Sequence, residues 1–403
     1  MSIVVLKFGG TSLKNNKASA AAVKRIDEII RKGKRPVVIV SAIGREGSAY
    51  ATDTLIQFAE DTFPELAKRE KDLIMSCGEI ISSVVMVQNI KKKERQARAL
   101  TGAQAGILTD ENYCNSDVIN INPENILKLI NNDIIPVIAG FQGISENGEI
   151  TTLGRGGSDT TASIIAAGLA AEKIEIYTDV EGLLTGDPSI IEEAKFLPKA
   201  NYTEACELAY QGAKVIHPAA AEIAMKNKIP VEIKSTFNNK EGTLIDKLGD
   251  EKKLTPITGL AARDEIFYVK ISAHQGINYD NGLQVFQLLA DQSISVDFIN
   301  IRESVISFVI DNEKRELSKE ILSKNDFDFE INEEYVKISI VGGGMTGQPG
   351  IMARIVNTLH DVGVKIYQTT DSHTVISCLI KEKDKIKALN ALHDAFNLNT
   401  IGG

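Results

Sequence analysis

Cysteine and histidine are scarce, at four and five in 403 residues. No C-x-x-C occurs and no histidine pair completes a zinc pattern, which excludes the common zinc modules. Cys77, Cys114, Cys206 and Cys378 therefore read as free thiols of a reducing cytosol. A basic excess is lacking too: 45 Lys+Arg stand against 54 Asp+Glu, a formal net charge of −9. That balance argues against a nucleic-acid partner, which normally meets a basic face or stripe. No apolar run approaches the roughly 18 residues a membrane helix needs, so no membrane partner is expected. The first apolar run, Ile3-Val4-Val5-Leu6, has no basic residues before it and no small-residue cleavage site after it. It is not a secretory leader, and a cytoplasmic protein is expected. Also missing are G-x-x-x-x-G-K-[ST] and the H-R-D and D-F-G signatures, which excludes P-loop nucleotidases and protein kinases.

What is present is an alternation. Residues 20–33 place Ala20, Val23, Ile26, Ile29 and Ile30 at helical spacing, end at Gly33, and lead through Pro36 into Val37-Val38-Ile39-Val40. Residues 124–132 repeat this before Pro136 and Val137-Ile138-Ala139, and residues 219–228 before Pro230-Val231-Glu232-Ile233. Short continuous β-branched runs between helices signal parallel strands buried on both faces. Residues 1–245 thus read as one α/β domain, a mostly parallel sheet covered by helices on both faces. Residues 246–263 are polar, contain Gly and Pro, lack a sustained period, and read as a linker.

Beyond the linker lies a repeat. Tyr268-Val-Lys-Ile-Ser272 recurs as Tyr335-Val-Lys-Ile-Ser339, and Val305-Ile306-Ser307 as Val375-Ile376-Ser377. Leu289-x-Asp291 likewise recurs as Leu359-x-Asp361. Each copy reads strand, loop, helix, strand, strand, helix, so residues 264–331 and 332–403 are expected to form two small βαββαβ modules packed on each other.

Three motifs carry chemistry. Lys7-Phe8-Gly9-Gly10-Thr11-Ser12 follows the first strand; paired glycines let backbone N–H groups approach an anion, and the lysine can neutralise a phosphate. Taken alone, it reads more readily as a plain turn with a solvated lysine. Gly154-Arg155-Gly156-Gly157-Ser158-Asp159 precedes a small-residue helix over Ser163–Ala171; it suits a carboxylate or phosphate, and a capped helix start with Ser158 as N-cap explains the serine but not the arginine. Strand Lys173–Thr178 leads into Asp179, Gly182 and Asp187-Pro188, at the end of a parallel strand where α/β sheets bind ligands. Lys214 is a further basic candidate, and His217 reads as structural. Gly342-x-Gly344-x-x-Gly347 imitates a dinucleotide fingerprint, but too few residues follow it and the first repeat lacks it.

Together these motifs resemble the aspartate kinases of the amino-acid kinase family. The matching segments are Lys7–Ser12, Val40-Ser41-Ala42-x-Gly44, Thr52-Asp53-x-Leu55, Gly78-Glu79, Phe141-Gln-Gly143, Leu153–Asp159, Thr178-Asp179-Val180-x-Gly182, Asp187-Pro188 and Gly212-Ala-Lys-Val-Ile-His-Pro218. The duplicated C-terminal half resembles the paired ACT, ferredoxin-like domains of these enzymes.

The resemblance implies an amino-acid kinase fold and transfer of phosphate from ATP, with Mg²⁺, to the side-chain carboxylate of L-aspartate. The product opens the route to diaminopimelate, lysine, threonine and methionine. By family correspondence Lys7, Asp159 and Lys214 are catalytic, and Arg155, Thr52, Glu79 and Ser158 hold aspartate. Lys7, Gly9, Gly10, Ser41, Thr178, Asp179, Gly182, Asp187, Lys214 and Val215 would face the nucleotide. No protein-borne metal site is expected. A carboxylate nucleophile needs no general base at neutral pH, its pKa being about 4. Two departures stand out: Ser189 follows Asp187-Pro188 where many members have arginine, and the loop between Gly44 and Thr52 is long.

The paired modules imply feedback inhibition by an amino acid held near Asn281, Asp297 and Gln348, and a homodimer formed through them. The overall likeness is to diaminopimelate-sensitive members. Two other readings compete, an amino-acid kinase for a different acid and a non-catalytic amino-acid sensor. The paired modules and the Gly154–Asp159 string weigh against the first; Lys7, Arg155, Asp159 and Lys214 together weigh against the second.

Overall fold

The computed structural model describes residues 2–45, 47–213, 215–249, 256–272, 279–302, 305–325, 327–345 and 347–400. The first half opens with β1 (Ile3–Phe8), α1 (Asn16–Arg31), β2 (Arg35–Val40), α2 (Thr52–Glu60) and α3 (Lys68–Lys91). It continues through β3 (Ala97–Leu100), β4 (Ile107–Thr109), β5 (Val118–Ile121), α4 (Glu124–Asn131) and β6 (Ile135–Ala139). Then come β7 (Gln142–Ser145), β8 (Ile150–Thr152), α5 (Gly157–Gly168) and β9 (Lys173–Thr178). It closes with β10 (Lys199–Asn201), α6 (Tyr202–Tyr210), α7 (Pro218–Asn227), β11 (Val231–Ser235) and β12 (Thr243–Asp246).

Eight of these strands form one sheet in the order β10-β12-β11-β9-β1-β2-β6-β3. Every pairing in it is parallel except β11 with β12. The β-branched runs make this possible: Val4, Val5, Leu6 and Phe8 in β1 and Val37–Val40 in β2 are fully buried, with cores on both faces of the sheet. Burying such a side chain contributes roughly 1.5–3 kcal/mol, so the central strands anchor the domain. Strands β5-β4-β7-β8 make a small second sheet. Buried Asp72 of α3 ties the two together, its carboxylate accepting the Thr152 hydroxyl at 2.5 Å and the backbone N–H groups of Thr152 and Cys114. Helix α3 is long and apolar enough by composition to cross a membrane, contrary to the expectation from apolar runs. It lies within the fold, packed on β3, β6 and β8, and its polar Asp72 and Glu79 are buried there.

The second half contains β13 (Gly259–Arg263), β14 (Ile266–Ser272), α8 (Tyr279–Asp291), β15 (Asp297–Arg302), β16 (Val305–Asp311), α9 (Arg315–Lys324) and β17 (Asp328–Asn332). It ends with β18 (Tyr335–Val341), α10 (Ile351–Asp361), β19 (Gln368–Asp371), β20 (Val375–Lys381) and α11 (Lys385–Ala395). The first module is a complete four-stranded unit, β15-β16-β14-β17. In the second the expectation needs correcting. Its own copy supplies three strands, and the fourth is β13, taken from the stretch read as linker and paired antiparallel with β18. The first module is therefore inserted between two strands of the second. The polar stretch before it hid β13, a short strand of which Gly259, Leu260 and Ala261 are buried.

The two halves are not loosely strung. Leu260 N–H donates to the Thr185 carbonyl at 2.8 Å, the Thr258 hydroxyl to Glu204 at 2.6 Å, and buried His393 of α11 meets the Thr185 hydroxyl at 2.8 Å. The decoy glycines also find a structural reason. A Cβ on Gly342 would stand 2.1 Å from the Pro256 carbonyl oxygen, so this position admits no side chain. Gly342→Ala is expected to lower stability by about 1–3 kcal/mol in urea denaturation, through overpacking against backbone. Gly343→Ala, whose nearest contacts would be an ordinary 3.4 Å, should stay within about 0.5 kcal/mol of the parent.

Candidate active site

β1 is flanked by β2 on one side and β9 on the other, so the segments leaving these strands diverge and open a crevice at their carboxyl ends. A cavity of about 630 Å³ occupies it, gathering the turns after β1, β2 and β6, the start of α2, one side of α3 and the first turn of α5. Lys7, Gly10, Ser41, Thr52, Glu79, Arg155, Ser158 and Asp159, drawn from five separate segments, all line it.

At its centre Lys7 Nζ lies 2.7 Å from Asp159 Oδ1, both side chains 13% exposed. This pair joins the end of the central strand to the first turn of α5. The helix begins earlier than expected, at Gly157, and its N-cap is Gly156 rather than Ser158. Ser158 and Asp159 are therefore helix residues with fixed directions. Gly156 has φ +68°, and a Cβ there would stand 2.0 Å from the His217 ring. Gly10 is constrained in the same way, since a Cβ would meet the carbonyl oxygens of Gly44 and Ala42 at 2.4 and 2.5 Å. The turns after β1 and β2 thus close on each other, with Gly44 N–H donating to Gly10 O at 3.1 Å.

Glu79 is buried on α3 and accepts the Ala42 N–H at 3.0 Å, while its second oxygen, Oε2, has no partner. Burial pushes its carboxyl up to about 8, against the opposing pull of the Ala42 amide and the Lys7 charge. A desolvated carboxylate with a free oxygen beside a cavity is prepared for a cationic group. His217 is held below its ordinary value by burial, against the charge of Asp159, and so is neutral at pH 7. Arg155 projects from the loop with its side chain 84% exposed, and its ion-pair partner is Glu313, between β16 and α9 of the first module.

The remaining sequence candidates that are described do not line this cavity. Gly9 donates to the Tyr177 carbonyl at 3.2 Å, and the Thr178 carbonyl accepts the Thr236 N–H at 2.9 Å, at the neighbouring ends of β9 and β11. Asp179 pairs with Arg45 at 2.6 Å, which links that region to the cavity rim. Gly182 packs against Thr243. The Asp187 carboxylate accepts the Ser189 N–H and hydroxyl at 2.8 and 2.6 Å, on a loop whose Ile191 is buried in the second module's core. Val215 packs on the main core, and Lys214 lies outside the described residues. Among the effector candidates, Asp297 is held by Lys337 of the second module at 2.5 Å, and Gln348 is exposed. Asn281 falls in α8, with its side chain outside the described residues. Sequence reasoning missed Glu313, Arg45 and Lys71 as cavity residues. Arg45 lay inside the long loop flagged after Gly44, whereas nothing local marks Glu313.

Residues 2–235 match the amino acid kinase family, and residues 330–394 match the ACT domain. The chain is 44% identical to Aspartokinase 1 of Bacillus subtilis (strain 168), over 99% of this chain and 100% of that one. It shares the fold of E. coli aspartokinase III in complex with aspartate and ADP in the R-state, with a TM-score of 0.84 at 23% identity, over 98% of this chain and 100% of that one. The T-state of the same E. coli protein, in complex with lysine and aspartate, gives a TM-score of 0.73 at 23% identity, over 98% and 99%.

Glu79 makes a prediction about pH. It is largely protonated at pH 7, so kcat/KM for a substrate whose ammonium meets it should rise as the pH passes through about 8. Glu79→Gln should lose that limb while keeping any titration of the substrate itself, which a pH–rate comparison of the two proteins measures.

Proposed function

The chain belongs to the amino acid kinase family and, within it, to the aspartokinases; from that premise we propose how its cavity works as the site where ATP phosphorylates L-aspartate to 4-phospho-L-aspartate. The observation that carries the reading is the convergence of Lys7–Asp159, Glu79 and Arg155 on one cavity. These are an anion-neutralising lysine, a carboxylate for an ammonium, and a guanidinium for a carboxylate. Arg155 clamps the α-carboxylate in the planar, two-pronged manner that guanidinium favours. Glu79 and Asp159 face the ammonium, and the hydroxyls of Thr52 and Ser158 bound the side chain. The substrate's own side-chain carboxylate, ionised without a base, attacks the γ-phosphorus. An O–P bond forms as the bond to the β-phosphate oxygen breaks, releasing ADP.

Such a transfer demands positioning and charge neutralisation more than covalent chemistry. Lys7 lies where the transferring phosphoryl would pass, held in place by Asp159 and flanked by the Gly9–Gly10 turn and Ser41. Thr178, Asp179, Gly182, Asp187 and Val215 would make the nucleotide side, with Lys214 assigned to it by family correspondence alone. Among the described residues no group of three or more His, Cys, Asp or Glu side chains could hold a metal ion. Magnesium keeps several waters and binds through one or two carboxylates plus the nucleotide phosphates. When bound, it would neutralise charge on those phosphates, and Asp159, beside Lys7, and Asp179, just after β9, would be the carboxylates to hold it. As a cytoplasmic enzyme the protein opens the route to lysine, diaminopimelate, threonine and methionine. An inhibitory amino acid acts through the ACT modules, with Asn281, Asp297 and Gln348 as its candidate contacts. The homodimer forms along β15, an edge strand whose Ile299 and Ile301 are 50% and 60% exposed.

Turnover of ATP with L-aspartate and Mg²⁺, with the acyl phosphate trapped by hydroxylamine, tests the reaction. Aspartate-dependent trapping is expected. Trapping only with another acid would replace the substrate, and none with any acid would leave a sensor. Lys7→Ala should lower kcat by about 10²-fold or more, the usual loss of one transition-state donor. Glu313 occupies Arg155 in the place an α-carboxylate would take, so Glu313→Gln is expected to lower the KM for aspartate several-fold with kcat little changed. A raised KM would mean instead that Glu313 holds Arg155 in position for the substrate.

A further inference from the structure

The sheet order β9-β1-β2 puts the glycine turn after β1 between the segments that leave its two neighbours. That turn is fastened to both. The Gly10 carbonyl accepts the Gly44 N–H at 3.1 Å on the β2 side, and the Gly9 N–H donates to the Tyr177 carbonyl at 3.2 Å on the β9 side. Arg45 directly follows Gly44, and Asp179 comes two residues after Tyr177. Their ion pair, at 2.6 Å, therefore spans the turn from one neighbour to the other. The base of Arg45 is fixed, its N–H donating to Ser48 Oγ at 3.3 Å and its carbonyl accepting the Ser48 N–H at 2.9 Å. Beyond that base the side chain is 73% exposed, so it can swing without unpacking a core.

Among the described residues four cations line the catalytic cavity: Lys7, Arg45, Lys71 and Arg155. Each has an acidic partner, and the partner shows which end of the cavity the cation serves. Arg155 meets Glu313 of the first module, and Lys71 stands 3.6 Å from Glu60 of α2. Lys7 meets Asp159 at the centre. Arg45 alone is paired to the loop after β9, the segment read as the nucleotide side. The described part of that side is acidic. Asp179, Glu181 and Asp187 stand there, and Lys240, which reaches it, is held by Glu181 at 2.7 Å. A transferring phosphoryl group spreads its charge over three oxygens, more than one lysine shared with Asp159 can cover.

We propose that Arg45 is a catalytic residue, its guanidinium turning from Asp179 to the transferring phosphoryl group; this rests on the phosphoryl-transfer reading of the cavity. Two of its N–H groups donate to non-bridging oxygens while the O–P bond to the acceptor carboxylate forms and the bond to the β-phosphate oxygen breaks. The arginine forms no covalent bond and keeps its proton, and ADP leaves with the bonding electron pair. The exchange of partners costs little, because an exposed ion pair contributes little stability. It gains in the filled cleft, where a bound nucleotide displaces water and each charge contact strengthens. A planar fork also suits two phosphoryl oxygens better than an ammonium does. The Asp179 carboxylate that it leaves is then free for the magnesium assigned to it above. With Lys7 at the end of β1 and Arg45 across the turn, the phosphoryl group is held from two sides.

Hydroxylamine trapping with ATP, L-aspartate and Mg²⁺ gives kcat and KM for the parent, Arg45→Gln and Arg45→Lys. Arg45→Gln is expected to lose about 10²-fold or more in kcat, with the KM values for ATP and aspartate within about threefold of the parent. Arg45→Lys should recover part of the loss, since it keeps the charge but not the fork. A binding measurement separates contact with the phosphoryl group from a mere hold on the nucleotide loop. In isothermal titration, ADP alone should bind parent and Arg45→Gln within about threefold of each other. ADP with aluminium fluoride, Mg²⁺ and L-aspartate imitates the transferring group, and should bind Arg45→Gln about tenfold weaker or more. Arg45 is exposed, so the variants should fold, which circular dichroism checks. A kcat for Arg45→Gln within about threefold of the parent overturns the proposal. So does equal weakening of ADP and of the mimic, which would make Arg45 a support of the nucleotide loop. A parent protein that traps no acyl phosphate with any acid removes the reaction and this proposal together, whereas failure at Arg45 alone leaves the reaction standing.

Discussion

The pair between Lys7 and Asp159 is the constraint on which the catalytic half turns. It fastens the last turn-facing residue of the central strand to the first turn of α5, and so fixes where a cation stands at the mouth of the sheet. Neighbouring segments then have little freedom. The turn after β1 must pass against the carbonyls of Ala42 and Gly44, which leaves no room for a side chain at Gly10. The entry to α5 must pass under the His217 ring, which imposes glycine at position 156. Glu79 reaches the same space from α3 and is buried there with one oxygen unsatisfied. The glycines and the charges of the site are therefore one requirement: bringing charged side chains close together forces backbone into near contact.

The arrangement of the regulatory half follows from insertion. Because β13 belongs to the second module's sheet and leads straight into β14, the first module is held at both ends by strands of the second. The second module is in turn fused to the catalytic half through Thr185, Glu204 and His393. Movement of the first module can reach the catalytic cavity by two routes, through this shared sheet or directly through Glu313.

Much of this was legible in the sequence, and the physical reasons are specific. Proline at strand starts and short β-branched runs gave away the parallel strands because burial on both faces removes alternation. The repeated Tyr-Val-Lys-Ile-Ser exposed the duplication because both copies place it on a central strand. Seven of the eight candidate residues in the cavity sit at or beside a strand end or helix start whose composition is constrained by close approach, and the eighth, Glu79, reaches it from the middle of α3. What stayed hidden was long-range. β13 carries no strong pattern because it completes a sheet begun eighty residues later. Glu313 looks like any solvated acid until the fold brings it to Arg155. A bulge in β15 between Asp297 and Asn300 reverses an alternation that the sequence alone would assign the other way.

The Arg155–Glu313 contact has a thermodynamic consequence beyond its strength. As an exposed pair it contributes little stability, about 0–1 kcal/mol at most. Its importance lies in exclusivity, since a guanidinium engaged by Glu313 offers less to a substrate carboxylate. With Arg155 in its proposed role of holding the substrate carboxylate, a ligand of the modules that favours the position in which Glu313 reaches Arg155 would weaken substrate binding. By linkage, substrate must weaken that ligand by the same factor. A weak surface contact can in this way couple two sites strongly, provided that each ligand distinguishes the positions of the module. The size of the coupling is then set by how differently the module's ligand binds those positions, and not by the energy of the ion pair itself.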